Sequence, residues 1–224
     1  MSDFQNRGGA AKAGIVNGAG DQISSKSLLR WAVEGKVFEA GFGAEDTPTS
    51  IEASLADTTP AFSLQSPASS ALIVIPLVAK VALLTVGGAA HKVLLTFTKT
   101  AGLCATALVL SGTAFTSKHA VYRTSPPQTA QDALVLYNVT ATALVVADYI
   151  TYDYKIATAA TLTTGLVALG EGPSNVQTWD FLEDGFPHLM SSGAAMLIYC
   201  SSDTTDAAAM AYLKWAEVTK DDLY

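Results

Sequence analysis

Short apolar runs separated by turn residues fill most of the chain after residue 66, and they limit the possible folds more than any other feature. The clearest runs lie at 72–85, 92–98, 134–140, 144–156, 195–200 and 210–218. Their spacing is near the roughly 8–12 residues that is typical of β-sandwiches. No long amphipathic helix alternates with them, which argues against a parallel sheet built from βαβ units. The pattern predicts an all-β fold, an antiparallel β-sandwich of about 8–10 strands.

The first 66 residues have a different pattern. Residues 1–21 are rich in Gly, Ala and Asn and have no hydrophobic periodicity. Ser24 or Ser25 can cap a short helix over about residues 25–35, and Gly35 ends it. We therefore expect residues 1–66 to form an extended N-terminal arm that bears this helix, and residues 67–224 to form the sandwich. Deletion of residues 1–40 is then expected to leave a folded sandwich that assembles poorly.

Apolar side chains in the predicted arm need a surface to pack on. Leu28 and Leu29 share one face of the helix, whereas Trp31 lies off that face. An exposed Trp on a short helix indicates a docking contact, either on the same chain or on a neighbouring subunit. The candidate interface residues are Leu28, Leu29, Trp31, Phe38 and Phe42.

Composition excludes several classes of protein. Half of the residues are hydrophobic and 15% are charged, against a usual share of about 25%. A wholly disordered chain and a coiled coil both need more charge.

The net charge is −7, and residues 1–36 carry five basic and three acidic residues. Because phosphate contacts depend on clustered Lys and Arg, we expect no sequence-specific nucleic-acid binding.

Membrane and secretion signals are not evident in the sequence. The apolar stretch 71–90 contains Pro76 and Lys80, and the stretch 100–117 is interspersed with Thr, Ser and Gly. A transmembrane helix needs about 20 mostly apolar residues, so we predict buried strands and no membrane span. The N-terminal residues lack the apolar segment of a signal peptide, which predicts synthesis in a cytoplasm.

Side chains that could act in catalysis or bind a cofactor do not form any known motif in this sequence. The sequence has no G-x-S-x-G, P-loop or G-x-G-x-x-G pattern, and its three histidines lack the spacing of metal ligands. We therefore expect no enzymatic activity and no cofactor.

Cys104 and Cys200 lie in separate apolar runs without a C-x-x-C pattern. Two buried thiols are the favoured interpretation, and a disulfide is left open if their strands are neighbours.

Carboxylates at two predicted turns are candidate calcium ligands. Calcium takes six to eight oxygen ligands, often from loops. The spacing does not match an EF-hand, and Asp is also common at turns because it hydrogen-bonds the local backbone, which is the favoured explanation here. The candidates are Asp180, Glu183, Asp184, Asp203 and Asp206.

The final hairpin, FPHLMSSGAAMLIYCSSDTTDAAAMAYLKWAEV at 186–218, resembles the closing strands of viral jelly-roll proteins. With its glycine-rich arm and low charge, the whole chain resembles a virion structural protein of bacterial viruses. The resemblance implies a single jelly roll that assembles in many copies, as a major capsid subunit or as a cement or decoration protein on another shell. Its partners would be copies of itself and other virion proteins, and its location the virion, after synthesis in the host cytoplasm. The resemblance brings no catalytic residues.

A second function belongs to a different class. Tyr149, Tyr152 and Tyr154 lie close together in one predicted strand. An exposed row of these aromatic rings is typical of a carbohydrate-binding or adhesin-like sandwich from a phage tail or a cell surface. Tyr is also enriched in subunit interfaces, and a core or interface position is the favoured interpretation.

Overall fold

The computed structural model describes residues 15–16, 22–23, 25–42, 49–52, 54–68, 71–84, 90–114, 118–119, 132–158, 176–182, 188–202 and 208–223. These residues form an antiparallel β-sandwich with one short helix, which confirms the predicted fold class.

Single 3-10 turns occur at Ala101–Leu103, Val146–Asp148 and Lys220–Leu223. In chain order the elements are β1 (Ile15–Val16), β2 (Gln22–Ile23), α1 (Ser25–Val33), β3 (Val37–Phe42), β4 (Thr49–Ser50), β5 (Phe62–Gln65), β6 (Leu72–Leu84), β7 (Ala90–Thr98), β8 (Leu110–Ala114), β9 (Lys118–His119), β10 (Leu134–Ala141), β11 (Tyr149–Thr158), β12 (Val176–Asp180), β13 (Ala195–Ser202) and β14 (Ala208–Thr219).

The strands form two sheets that pack face to face. Sheet I has the order β11-β7-β13-β5-β10-β8, and sheet II has the order β12-β6-β14-β3-β9, with β4 also paired to β14. Strands β1 and β2 pair with each other. The consecutive strands β6 and β7 lie in opposite sheets, and so do β13 and β14. Because β7 pairs with β13 and β6 pairs with β14, these two crossings between the sheets lie side by side.

The longest pairing joins residues far apart in sequence. Strand β14 pairs with β6 from Ala208 opposite Leu84 to Thr219 opposite Leu72. A jelly roll pairs its last strand with its first long strand, and the sequence predicts this same partnership between 210–218 and 72–85. The structure confirms that pairing.

The predicted boundary at residue 66 is not a boundary of the sandwich. Strand β3 lies between β14 and β9 in sheet II, and β5 lies between β13 and β10 in sheet I. Part of the predicted arm therefore supplies interior strands of both sheets. The sequence does not reveal this, because β3 and β5 are only six and four residues long and their partners come much later in the chain.

Two layers of apolar side chains stabilise sheet II. One layer lies between the sheets, and its largest fully buried members include Trp215, Phe62 and Leu213. The other lies on the outer face of sheet II, where Trp31 of α1 packs with side chains of β3, β6 and β14. The helix thus covers part of this face, which explains its amphipathic sequence.

A β-bulge at Leu77 switches which residues of β6 face each of the two layers. Lys214 pairs with Val78, whereas the next residue, Trp215, pairs with Pro76. The extra residue reverses the alternation, so that odd-numbered residues of β6 face α1 before the bulge and face sheet I after it. A proline without an N–H is tolerated at such a position.

Within the described residues, no helix combines the length and hydrophobicity that a bilayer crossing requires.

Candidate interaction surface

Two loops on the outer side of sheet I form a surface that exposes apolar side chains. They span residues 101–109 and 142–150, with the sequences AGLCATALV and TALVVADYI. The sole charged residue in these two segments is Asp148, whose exposure is 2%. We call residues 101–109 and 142–150 the apolar loop surface.

Asp148 joins the two loops. Its Oδ2 accepts a hydrogen bond from Ala105 N at 3.0 Å, and its backbone oxygen accepts one from Lys99 N at 3.1 Å. The ammonium group of Lys99 lies 3.8 Å from Asp148 Oδ1. A buried carboxylate needs such donors, because an unpaired buried charge is costly. The carboxylate therefore fixes one loop against the other.

A second link joins the end of the first loop, at Val109, to the start of the second loop, at Thr142. Thr142 N donates to Val109 O at 3.0 Å, and Val109 N donates to Thr142 Oγ1 at 3.3 Å. Beneath these links, Leu108 and Leu144 are buried against Leu197 and Tyr199 of β13. The loops are thus anchored to the sheet by their inward side chains.

The outward side chains of the same loops are large and apolar. Val146 is 90% exposed and Leu103 is 71% exposed. Single exposed apolar residues are ordinary, but several on adjoining segments mark interaction sites. The exposed set is Leu103, Val109, Val145, Val146 and Ile150. This surface has the composition of a protein contact, with few charges and large apolar side chains.

These residues were missed in the sequence because their runs resemble strands. The apolar run at 105–115 predicts a strand, yet β8 begins at Leu110. Likewise the run at 144–156 predicts a strand, yet β11 begins at Tyr149. Hydrophobicity indicates that a segment contacts something, but it does not distinguish the core from an outer surface. The one local signal is that the first residues of both runs, 105–109 and 144–148, lack strict alternation.

The interface candidates from the sequence have mixed positions. Trp31 and Phe38 are each 2% exposed within the chain's own core, so neither is available to a neighbour. Trp31 thus makes the same-chain docking contact that the sequence left open. Leu28 packs against the same cluster as Trp31, whereas Leu29 is 65% exposed. The backbone of Phe42 belongs to β3, and its side chain lies outside the described residues.

The calcium candidates are largely outside the described part of the chain. Glu183, Asp184, Asp203 and Asp206 all lie there. Asp180 Oδ1 accepts a hydrogen bond from Leu182 N at 3.1 Å, which is the local backbone contact expected of Asp at a turn. Among the described residues, no group of three or more His, Cys, Asp or Glu side chains could hold a metal ion.

The two cysteines are free thiols. Cys200 in β13 is buried between the sheets, and burial raises its pKa to about 12. Cys104 is half-buried in the apolar loop surface, where its Sγ lies 3.6 Å from Lys99 O and 3.5 Å from Thr100 O. Burial, and after it the charge of Asp148, raises the pKa of Cys104.

The tyrosine row is only partly described. Tyr149 packs in the cluster beneath the apolar loop surface, and the side chains of Tyr152 and Tyr154 lie outside the described residues. The backbone register of β11 against β7 shifts between Thr151 and Asp153. The simple alternation that the sequence predicts for this strand is therefore interrupted.

No protein-family model, curated protein sequence or solved structure matches the chain.

Proposed function

We propose that this chain is a virion structural protein, a subunit that assembles in many copies into a capsid or onto one as a cement or decoration protein. The observation that supports the proposal is the apolar loop surface, where five large apolar side chains are exposed on two linked loops. In a shell, contacts between subunits would bury these side chains. The proposed location is accordingly the virion.

Charge supports an apolar contact between copies. Each chain carries a net charge of −7, so identical subunits repel one another at long range, and salt screens this repulsion over about 10 Å at 0.1 M. The apolar loop surface exposes none of that charge, because Asp148 is buried. Apolar burial there would contribute about 25 cal/mol per Å² to association, which opposes the repulsion.

Paired substitutions on opposite sides of the sandwich test the proposal. Val146→Asp places a carboxylate on the apolar loop surface, and Leu29→Asp places one on the exposed side of α1. Both side chains are exposed, so neither change should unfold the chain. We expect purified protein to form shells, lattices or large oligomers in electron microscopy and sedimentation, and Val146→Asp to prevent this while Leu29→Asp does not.

The salt dependence of assembly gives a second measurement. Association through apolar contacts is opposed by the electrostatic repulsion between subunits. It should therefore strengthen between low salt and 0.3 M NaCl, because the higher ionic strength shortens the distance over which charges interact. Particles that dissociate in 0.3 M NaCl would instead be held by ion pairs. A chain that stays monomeric in all conditions and binds glycans would support the carbohydrate-binding alternative and overturn the proposal.

A further inference from the structure

Strand β8 is the least protected of the four edge strands that the described residues form. Its sequence, LSGTA, contains no charge, and its residues 111–114 are exposed. The other three edges carry charged residues: Lys118 in the two-residue β9, Asp153 and Lys155 in β11, and Asp180 in β12. Short length and charged side chains are the devices that keep sheet edges from pairing with other chains. Strand β8 has neither.

The edges β11 and β12 are also closed by contacts with each other. Lys155 Nζ donates to the backbone oxygen of Thr178 at 3.1 Å, and Trp179 Nε1 donates to Asp153 Oδ2 at 2.9 Å. The ammonium group of Lys155 lies 4.5 Å from the centroid of the Trp179 ring. These side chains bind one sheet to the other along this side of the sandwich. Strand β8, in contrast, pairs only with β10 among the strands that the structure describes.

The backbone of β8 has hydrogen-bonding groups that point away from β10. Val109, directly before β8, exchanges hydrogen bonds with Thr142 at 3.0 and 3.3 Å, and backbone groups of alternate residues in an antiparallel strand point to opposite sides. The register shift between β8 and β10 adds its residue to β10, so the alternation along β8 is unbroken. The residues whose N–H and C=O groups point outward are Leu110, Gly112 and Ala114. Within the described part of the chain, these groups have no hydrogen-bond partner.

The sequence of β8 is complementary to itself about Gly112. If two copies of the strand pair in antiparallel fashion around this residue, Leu110 of each copy lies opposite Ala114 of the other, and Ser111 lies opposite Thr113. Opposed Ser and Thr side chains form favourable cross-strand pairs, whereas opposed like charges are destabilising. Because β8 has no charge, this self-pairing brings no like charges together, although each chain carries a net charge of −7.

We propose that β8 is a dimerisation edge, at which two copies of the chain pair in antiparallel fashion about Gly112. The three outward residues of each copy would then form six backbone hydrogen bonds between the copies, and the two six-stranded sheets I would become one continuous sheet. Such a contact is isologous and closes on a two-fold axis. The inference does not rest on the virion role, because the pairing needs β8 alone.

Substitutions at the exposed residues between the outward groups test the pairing. The measurement uses the full chain with Val146→Asp, which removes association through the apolar loop surface, so that the two contacts are assayed separately. Sedimentation of this chain should show a dimer whose fraction rises with concentration. Adding Ser111→Asp and Thr113→Asp places like charges opposite each other across the two-fold axis, and should leave only monomers.

The matched control is Val176→Asp with Thr178→Asp on β12. These two positions are also exposed and have the same spacing on an edge strand, so the net charge changes equally. The control should remain dimeric.

A charge exchange tests whether β8 meets β8. Ser111→Lys with Thr113→Lys should also be monomeric by itself. Mixed with the Ser111→Asp and Thr113→Asp chain, it should form a one-to-one heterodimer, because each carboxylate then lies opposite an ammonium group. A mixture that stays monomeric would contradict the proposed pairing.

Cysteines test the register. In the same background with Cys104→Ser, a chain with Ser111→Cys and a chain with Thr113→Cys should form a disulfide when mixed under mild oxidation. Opposed residues of this kind have Cα atoms about 4.5 Å apart, which a disulfide can span. Each chain alone should not cross-link, because equal positions of the two copies lie diagonally, about 7–8 Å apart.

Three further results would overturn the proposal. One is a chain with Val146→Asp that stays monomeric at every concentration. Another is a dimer that persists with Ser111→Asp and Thr113→Asp. The third is cross-linking that is as efficient in the single-cysteine chains as in their mixture. If circular dichroism shows that the Asp variant does not fold, the cysteine test decides, since it changes only one small exposed residue of β8 in each chain.

Discussion

The indole Nε1 of Trp215 donates a 2.9 Å hydrogen bond to Glu217 Oε1, and both side chains are buried. The two residues lie two positions apart in β14, so they share the face that points toward sheet I. The other donors to this carboxylate are the backbone N–H groups of Asp132 at 2.9 Å and Ala133 at 3.2 Å. A single carboxylate of sheet II thus fixes the start of β10 in sheet I.

Removal of this carboxylate should be strongly destabilising. Glu217→Ala leaves an indole N–H and two backbone N–H groups without their acceptor, and we expect the free energy of unfolding to fall by about 3 kcal/mol. Glu39→Ala is the control, because Glu39 accepts one hydrogen bond from Tyr212 at 2.8 Å and should cost about 1 kcal/mol. Urea denaturation measures both. Equal losses in the two variants would contradict this account of Glu217.

Trp215 itself should contribute mainly by packing. Its side chain is fully buried and stacks on Phe38, with 5.9 Å between ring centroids. We expect Trp215→Ala to lower the free energy of unfolding by about 3–5 kcal/mol, and Trp215→Phe to lower it less. Leu29→Ala, at a side chain that is 65% exposed, should change it by less than about 0.5 kcal/mol. A loss below about 1 kcal/mol for Trp215→Ala would be incompatible with burial.

Local pattern predicted the elements better than their partners. The predicted strand at 72–85 is observed at 72–84, and the predicted helix at about 25–35 is observed at 25–33. These elements have clear hydrophobic runs or caps. The sequence places β3 in an arm, because the register of β3 with β14, such as Glu39 opposite Lys214, depends on a contact between distant parts of the chain. Sequence periodicity carries no information about that contact.

The candidate sites were less predictable still. The sequence predicts that Trp31 docks on the same chain or on a neighbour, and only the structure shows that it packs on its own sheet. The exposed Val146 lies in a run that predicts a buried strand.

Stability should depend on Asp222 at low pH. Burial alone would raise the pKa of this carboxyl, but Lys36 Nζ at 2.6 Å and the N–H and hydroxyl of Thr219 at 2.8 Å lower the pKa to about 2. A folded-state pKa below the ordinary 3.8 means that the ionised group stabilises the fold above about pH 4. That contribution is lost as the pH falls toward 2.

Asp222→Asn tests this dependence. We expect the variant to be less stable than the unaltered chain at pH 6, and the difference to shrink between about pH 4 and pH 2, the interval between the two pKa values. Asp221→Asn, at the exposed neighbouring position, is the control and should show little difference at either pH. A difference for Asp222→Asn that stays constant from pH 6 to pH 2 would exclude ionisation as its cause.

The two thiols should differ in reactivity. A thiolate is the reactive form of cysteine, and burial holds the pKa of Cys200 at about 12. We expect a disulfide reagent such as Ellman's reagent at pH 8 to label Cys104 slowly in the folded chain and Cys200 only after unfolding. Cys104→Ser should then give no labelling without denaturant. Prompt labelling of two thiols in the folded chain would show that β13 is accessible.

Deletions distinguish an arm from a part of the sandwich. Removal of residues 1–42 takes away α1 and β3, which exposes Trp215 and one side of β14, and we expect an unfolded or aggregated product. Removal of residues 1–24 retains both elements and should leave a cooperative thermal transition. A folded product from the longer deletion, with the circular dichroism of the full chain, would restore the separable arm that the sequence predicts.

The pairing of β14 with both β6 and β3 has a consequence for synthesis on the ribosome. Strand β14 lies between β6 and β3, and β13 lies between β7 and β5, so each sheet receives an inner strand only after residues 195–219 have emerged. A nascent chain that stops earlier has both sheets divided, with open strand edges of the kind that aggregate. Translation must therefore pass β14 before either sheet can be completed.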